Sequence, residues 1–434
     1  MSLLELADLE PRNWKRVGDL YEVTRKPKGV NLSSWDTIPF TPMDAIPQGG
    51  SYKAGHVPRT PASITSGTYF ERGDLLVAKI TPSFENGKQA LVFDLPTPFG
   101  YATTEVIPLR PRTGDQDRRL LFFYLLHPDV RHHVAERMEG TTGRQRVPEN
   151  VLLQLPFPDI DPEEQSAMAD ALELLQRATT LEVQREKAAR DLKRASMRAL
   201  FTRGLRGEPQ KETEIGAMPE SWHPRTILDL CEIWSGGTPR KSVSEYWTGS
   251  IPWVSGKDLK VPTLHDVVDH VSESGVAAGS TLAPSDAVLL LVRGMGLAKD
   301  LPVARITRAM AFNQDVKALV SRGVFPGSFI RSAIYSGKDR LLSRVVPSAH
   351  GTMTLNLHDI ETFKVPCPTN KEEGDEIVAI LDAIDSKIDL HKRKRAVLDD
   401  LFKSLLHKLV TGEVRVSDLD FSPLGPATGQ EVAA

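Results

Sequence analysis

The chain has 434 residues, 40% of them hydrophobic and 26% charged, with a formal net charge of −3 at pH 7. This length predicts two or three domains with ordinary apolar cores. The near-balanced charge excludes a protein that coats nucleic acid non-specifically, but leaves room for a local basic groove. Two cysteines, Cys231 and Cys367, exclude a disulfide framework, and neither has a partner at Cys-x-x-Cys spacing. No apolar run reaches 18 residues, and residues 287–292 suit a buried strand. Residues 1–12 are acidic and lack a signal-peptide pattern, so the reading is a cytoplasmic protein without a membrane partner.

The first globular segment is expected over residues 1–160. Short apolar runs at 75–78, 90–93 and 106–109, broken by Gly, Pro, Ser and Asp, predict strands, and 118–137 predicts a helical segment. Lys79 follows the first of these strands, and Thr103 and Thr104 precede the third. Arg110, Arg112, Arg118, Arg119, Arg131, Arg137, Arg144 and Arg146 form a cationic cluster. Arg144-Gln145-Arg146 is expected in the turn-rich loop opened by Gly140-Thr141-Thr142-Gly143. Arg and Gln can bond base edges in pairs, and Arg also grips phosphate. The plainer reading of each Arg is a solvated surface charge. His132-His133 is not read as a metal pair, because adjacent helical residues point apart.

A long helix is expected from the Pro-rich run 155–162 to Gly204, assigned with its exit to 161–208. Met168, Ala171, Leu172, Leu175, Ala178, Leu181, Leu192, Ala195 and Ala199 recur at steps of three and four. About 40 helical residues would reach roughly 60 Å, which points to a coiled coil or a spacer. The stretch then recurs 209 positions later: Glu372-Glu373 for Glu163-Glu164, Leu381 for Leu172, Ile384 for Leu175, Leu390 for Leu181 and Leu401 for Leu192. This second helix is assigned to 370–416.

The segment between the helices, 209–369 with a polar link at 208–218, matches the first in order. Ile38-Pro39-Phe40 faces Ile251-Pro252-Trp253, Gly73-Asp74 faces Ser285-Asp286, and Thr103-Thr104-Glu105 faces Asn313-Gln314-Asp315. Strands are expected at 288–292, 303–306 and 316–320, and a helical segment at 327–343. The fold expected is α+β: two globular domains with mixed or antiparallel sheets, separated by two long helices paired as an antiparallel coiled coil with pseudo-twofold symmetry. Leu172, Leu175, Leu181, Leu192, Leu381, Ile384, Leu390 and Leu401 are its expected interface residues. Polar candidates at strand ends of the second domain are Ser255, Lys257, Arg293, Asn313 and Gln314. Asn313-Gln314 can equally satisfy its own loop. Lys392-Arg393-Lys394-Arg395 reads as a solvated helix surface. Residues 417–434 are expected to be a disordered tail.

Catalytic motifs are missing. There is no Gly-x-x-x-x-Gly-Lys-[Ser/Thr] loop, no Gly-x-Gly-x-x-Gly after a strand, no Gly-x-Ser-x-Gly elbow and no Asn/Asp-Pro-Pro-Tyr/Phe. The reading is recognition or assembly, with no catalytic residue and no metal site.

The motif Ser235-Gly236-Gly237-Thr238-Pro239, continued by residues 246–259 (YWTGSIPWVSGKDL), resembles target-recognition domains of the DNA-specificity subunits of type I restriction-modification systems. The lead-in at 215–222 and the Leu-Pro-Phe-Pro…Glu-Glu-Gln approach to the first helix are similar to that family too. The first domain departs from the pattern, keeping only Trp35, Ile38-Pro39-Phe40 and Asp44 over residues 31–47. The resemblance implies that each domain reads one half of a split, asymmetric target in double-stranded DNA. It implies that the helices space the domains and dock two methyltransferase subunits, which carry S-adenosylmethionine and methylate adenine. Restriction and translocase subunits, using ATP and Mg, would join them, and this chain would bind no cofactor. Three alternatives stand beside it: the specificity subunit of a type II-like fused nuclease-methyltransferase, a protein-binding scaffold, and an enzyme with an unfamiliar site.

Overall fold

The computed structural model describes residues 13–48, 53–348 and 351–421. The acidic start 1–12 and the tail beyond Phe421 lie outside the described residues. The chain divides into two compact units: Met1–Arg185 with His391–Ala434, and Glu186–Leu390. The division falls inside both long helices, so each unit contains part of each.

The two helices are Pro162–Arg203 and Lys371–Thr411. Their ends follow from local chemistry. The Asp161 carboxylate accepts from the Glu164 N–H at 2.9 Å, and the Asn370 side chain accepts from the Glu373 N–H at 3.1 Å. Each thereby satisfies one orphan donor of a first turn. Pro162 occupies a first-turn position, where its missing N–H costs nothing. Gly204 at φ +60° and Gly412 at φ +80° take the left-handed conformation that stops each helix.

In the first unit a four-stranded antiparallel sheet runs Tyr21–Val23, Val106–Pro111, Leu75–Ala78, Gln89–Leu91. A second sheet runs Val57–Arg59, Ile38–Thr41, Phe99–Ala102, Thr68–Glu71, and only its central pair is parallel. The second unit repeats both. Cys231–Ser235, Val316–Ser321, Val288–Leu291 and Val303–Ile306 keep the first order, and Thr263–Leu264 adds a parallel edge strand. His270–Val271, Ile251–Val254, Met310–Phe312 and Thr281–Ala283 keep the second order, with the same central parallel pair. The α+β reading with mixed and antiparallel sheets therefore holds, and the duplication extends to sheet topology.

Two details correct the expected elements. The helical segment at 118–137 is two helices, Arg118–Tyr124 and Pro128–Ala135, because Pro128 starts a new first turn capped by the His127 side chain. The polar link after the first helix is a hairpin, Gln210–Thr213 with Gly216–Pro219.

Each unit packs helix onto sheet through a mixed core. In the first, Leu172 and Leu175 (0% exposed) join Phe122, Phe123 and Tyr124, with Leu405, Leu406 and Leu409 from the second helix. In the second, Phe201, Ile377 and Leu381 join Trp222, whose indole N–H donates to the Glu373 carboxylate at 3.1 Å. Within the first unit the helices run antiparallel, because Leu172 and Leu175 pack with residues 405–409 while Glu182 meets His391.

The expected seam needs correction. Leu172, Leu175 and Leu381 are buried and Ile384 is half-buried, but Leu181 and Leu390 are each 43% exposed, Leu401 is 45% exposed and Leu192 is 52% exposed. Leu181 lies nine residues past Leu172, about 2.5 turns at 3.6 residues per turn, which places it on the opposite face. Leu192, about three turns further, shares the face of Leu181. The same spacing turns Leu390 and Leu401 away from Leu381.

Candidate nucleic-acid interface

In the first unit three non-contiguous segments converge at the end of the strand Leu75–Ala78. The Lys79 N–H donates to the Glu105 carbonyl at 2.9 Å, the Val147 N–H to the Lys79 carbonyl at 2.8 Å, and the Thr81 N–H to the Gln145 carbonyl at 3.0 Å. These bonds dock the segment Arg144-Gln145-Arg146 beside Lys79, Thr103 and Thr104. That segment is not a loop, as the sequence suggested, but one strand of a hairpin with Glu139–Thr141. Gly140 at φ +129° and Gly143 at φ +79° supply its turn.

The charges there are partly committed. Arg146 forks onto Glu105, Nε to Oε2 at 2.8 Å and Nη2 to Oε1 at 2.7 Å. That bond holds the Glu105 carboxyl below the usual carboxylate range, with burial opposing and Lys79 assisting. Arg144 and Thr104 are exposed, and Gln145 and Thr103 are half-buried, the Thr103 hydroxyl accepting from the Glu105 N–H at 3.3 Å. Glu105 was not singled out from sequence; the only hint was its adjacency to Thr103-Thr104.

The second unit has the same frame with other side chains. The Val292 N–H donates to the Asp315 carbonyl at 2.8 Å, the Leu355 N–H to the Val292 carbonyl at 2.8 Å, and the Gly294 N–H to the Met353 carbonyl at 2.9 Å. Ile80 bridges Arg146 in the first unit, whereas Arg293 bridges Thr354 in the second. The cation has moved from the docked hairpin to the strand end. Arg293 is exposed.

The other candidates divide. Lys257 is 56% exposed and pairs with Asp269 at 2.6 Å. The Ser255 N–H and hydroxyl both donate to Asp258 at 2.9 Å, so Ser255 serves a turn. Asn313 is 8% exposed, and its carbonyl accepts from the Asp315 N–H at 3.2 Å. It satisfies its own loop and does not face solvent. Gln314 is exposed and accepts from the Thr238 hydroxyl at 2.7 Å.

That bond ties the Ser-Gly-Gly-Thr-Pro segment to the site, a role not drawn from sequence. The Gly237 N–H donates to the Phe312 carbonyl at 2.9 Å, and Lys317 Nζ to the Ser235 hydroxyl at 2.6 Å. A Cβ on Gly236 would stand 2.3 Å from the Phe312 oxygen, so only glycine permits this approach. The segment presents exposed Arg240 and Lys241 immediately afterwards.

His132 is exposed and faces Glu136 at 3.2 Å, in keeping with its surface reading. His127, Asp129 and His407 do cluster, their ligand-type atoms within 4.8 Å of one another. However, His127 Nδ1 accepts from the Asp129 N–H at 3.2 Å as a helix cap. In the neutral ring Nε2 then carries the proton and donates to His407 Nδ1, 3.2 Å away. Burial pushes the His127 imidazole down to about 4, keeping it neutral. The histidines form a satisfied hydrogen bond.

Comparison with known proteins gives the family. Residues 219–400 match the family model described as the type I restriction modification DNA specificity domain. The Escherichia coli type I restriction enzyme EcoR124I/EcoR124II specificity subunit is 32% identical over 164 residues, 37% of this chain and 40% of that one. The MjaIX specificity subunit of Methanocaldococcus jannaschii is 26% identical over 220 residues, 47% of this chain and 48% of that one. The chain thus spans less than half the length of these two curated relatives. A solved chain from work on complex assembly and conformational transition of the type I R-M system shares the fold, with a TM-score of 0.59 at 19% identity over 94% of this chain and 99% of that one. No described helix is long and apolar enough to cross a membrane. The chain belongs to the type I restriction-modification DNA specificity family.

Proposed function

We propose that this chain is the DNA sequence-specificity subunit of a type I restriction-modification complex. Each unit reads one half of a bipartite, asymmetric target in double-stranded DNA. The long helices set the spacing and dock two methyltransferase subunits, and restriction and translocase subunits complete the assembly. The chain itself is non-catalytic and acts in the cytoplasm. S-adenosylmethionine belongs to the methyltransferase, and ATP and Mg to the translocating nuclease.

The observation that carries this reading is the shared frame with exchanged side chains. Three backbone bonds repeat in both units, while Lys79, Gln145 and Arg146 on one frame give way to Val292, Met353 and Thr354 on the other, with Arg293 where the first has Ile80. A constant scaffold bearing different polar groups is what two readers of different half-sites need. Lys26 and Lys28 in the first unit and Arg240 and Lys241 in the second are exposed cations suited to phosphate. The test is to map methylated adenines in cells carrying the chain with its native methyltransferase. A split motif that disappears when this chain alone is deleted is expected. A continuous motif, or methylation that persists without the chain, would contradict the reading.

A further inference from the structure

The first unit contains a cavity of about 570 Å³ between the turn bearing Glu85, the helix Pro128–Ala135 and the two long helices. That size lies in the range of binding pockets. Leu126 and Phe402 give it apolar walls. Three of its lining residues each hold a buried polar atom without a partner: Glu85 Oε2, Arg131 Nε and Gln176 Oε1. Buried polar atoms are normally paired, so three orphans around one opening mark a place that a ligand completes. Thr179 and Thr180 also line it, and Val183, 44% exposed, follows them at i+4 and i+3 on the same helix face. The opening therefore continues into an exposed apolar side chain, as a protein-docking surface would.

The duplication supplies an internal control. Shifting by 209 positions, Gln176 corresponds to Asp385 and Phe402 to Lys193. In the second unit those residues satisfy each other, Lys193 Nζ lying 2.5 and 2.6 Å from the two Asp385 oxygens. The first unit has an aromatic wall and an unpaired amide at the matching places.

We propose that this cavity receives a carboxamide side chain, Asn or Gln, from a methyltransferase subunit docked on the first unit. The inference rests on the reading that such subunits bind the helices. A carboxamide offers two N–H donors and one carbonyl acceptor. That inventory matches two orphan acceptors, Glu85 and Gln176, and one orphan donor, Arg131. Its aliphatic stem suits Phe402 and Leu126. Because the second unit fills the equivalent positions with its own ion pair, the two docking sites are chemically unequal.

The test is a calorimetric titration of the full chain with purified methyltransferase subunit, with native mass spectrometry for stoichiometry. The double variant Gln176→Asp/Phe402→Lys transplants the second unit's pair. It should weaken one of two binding steps about tenfold or more and leave the other unchanged. Phe402 packs edge-on to Phe123 at 5.8 Å, so folding of that variant is checked by circular dichroism. Glu85→Ala, on a turn outside the helices, should weaken the same step without disturbing the core. Wild-type binding of two copies with unchanged affinity in Glu85→Ala and in a folded double variant would overturn this inference alone. A wild-type chain that binds no methyltransferase would overturn the docking reading with it.

Discussion

Glu182 and His391 are 209 positions apart, the spacing of the helix repeat, and they hydrogen-bond to each other. His391 Nδ1 lies 2.6 Å from Glu182 Oε2, with both side chains buried. Equivalent residues of two repeats meet at the point where their helices cross. Arg185 Nη1 adds a contact to Glu182 Oε1 at 2.8 Å. A buried polar pair of this kind fixes register at some cost in stability. Removing one partner by His391→Leu strands a buried carboxylate and should cost about 3 kcal/mol. Glu182→Leu/His391→Leu should recover most of that loss. Urea denaturation of the two variants checks both, and an equal loss in single and double variants would contradict the pairing.

The pair also has a pH signature. Burial pushes the Glu182 carboxyl up, but the bonds from His391 and Arg185 outweigh it and leave it below its ordinary value. A carboxylate so depressed adds stability at pH above the ordinary carboxylate value, and loses it as pH falls through the lowered one. Asp74 has the opposite sign. Burial raises it to about 6, despite the Glu71 N–H bond at 2.7 Å. Its share of stability is greatest below the unfolded value of about 3.9 and is lost as pH rises toward 6. Between pH 4 and pH 7 the wild-type advantage over Glu182→Gln should therefore grow, and that over Asp74→Asn should shrink. Denaturation midpoints at both pH values test this.

Burial separates leucines that sequence grouped together. Leu172→Asp places a charge in a site with 0% exposure and should cost several kcal/mol, on the order of 3–5. Leu181→Asp, at 43% exposure, should change stability by about 0.5 kcal/mol or less but weaken methyltransferase binding. Thermal melts and co-elution resolve the two effects. Wild-type co-elution by Leu181→Asp would remove that face from the docking surface.

Gly236→Ala should distort the segment that carries Arg240 and Lys241, since its Cβ would meet the Phe312 oxygen at 2.3 Å. The expected result is weaker DNA binding by the second unit, with the secondary structure retained. A variant with unchanged affinity would show that the segment does not contribute to the interface.

The long helices were legible because Pro162, Asp161 and Gly204 act locally, and so do their counterparts Asn370 and Gly412. The duplication was legible because it left apolar positions in register. The outward turn of Leu181 was not: steps of three and four stay on one face only over short runs, and rounding accumulates to half a turn over nine residues. The interface was legible in part. Polar residues at strand ends identified Arg146, Lys79 and Arg293, but the frame that gathers them consists of long-range backbone bonds that no local pattern encodes. Asn313 turned inward because its Asp315 partner lies two residues on, and Glu105 emerged only through Arg146.

The central claim is that each unit reads its own half-site, and one measurement bears on it most directly. Methylome sequencing would compare wild type, Arg144→Ala/Arg146→Ala and Arg293→Ala, each with the native methyltransferase. A lost base contact costs about 1–3 kcal/mol at one position. The account predicts that the first variant relaxes only one half of the split motif and Arg293→Ala only the other. Relaxation of the same half by both variants, or of both halves by either, would contradict it.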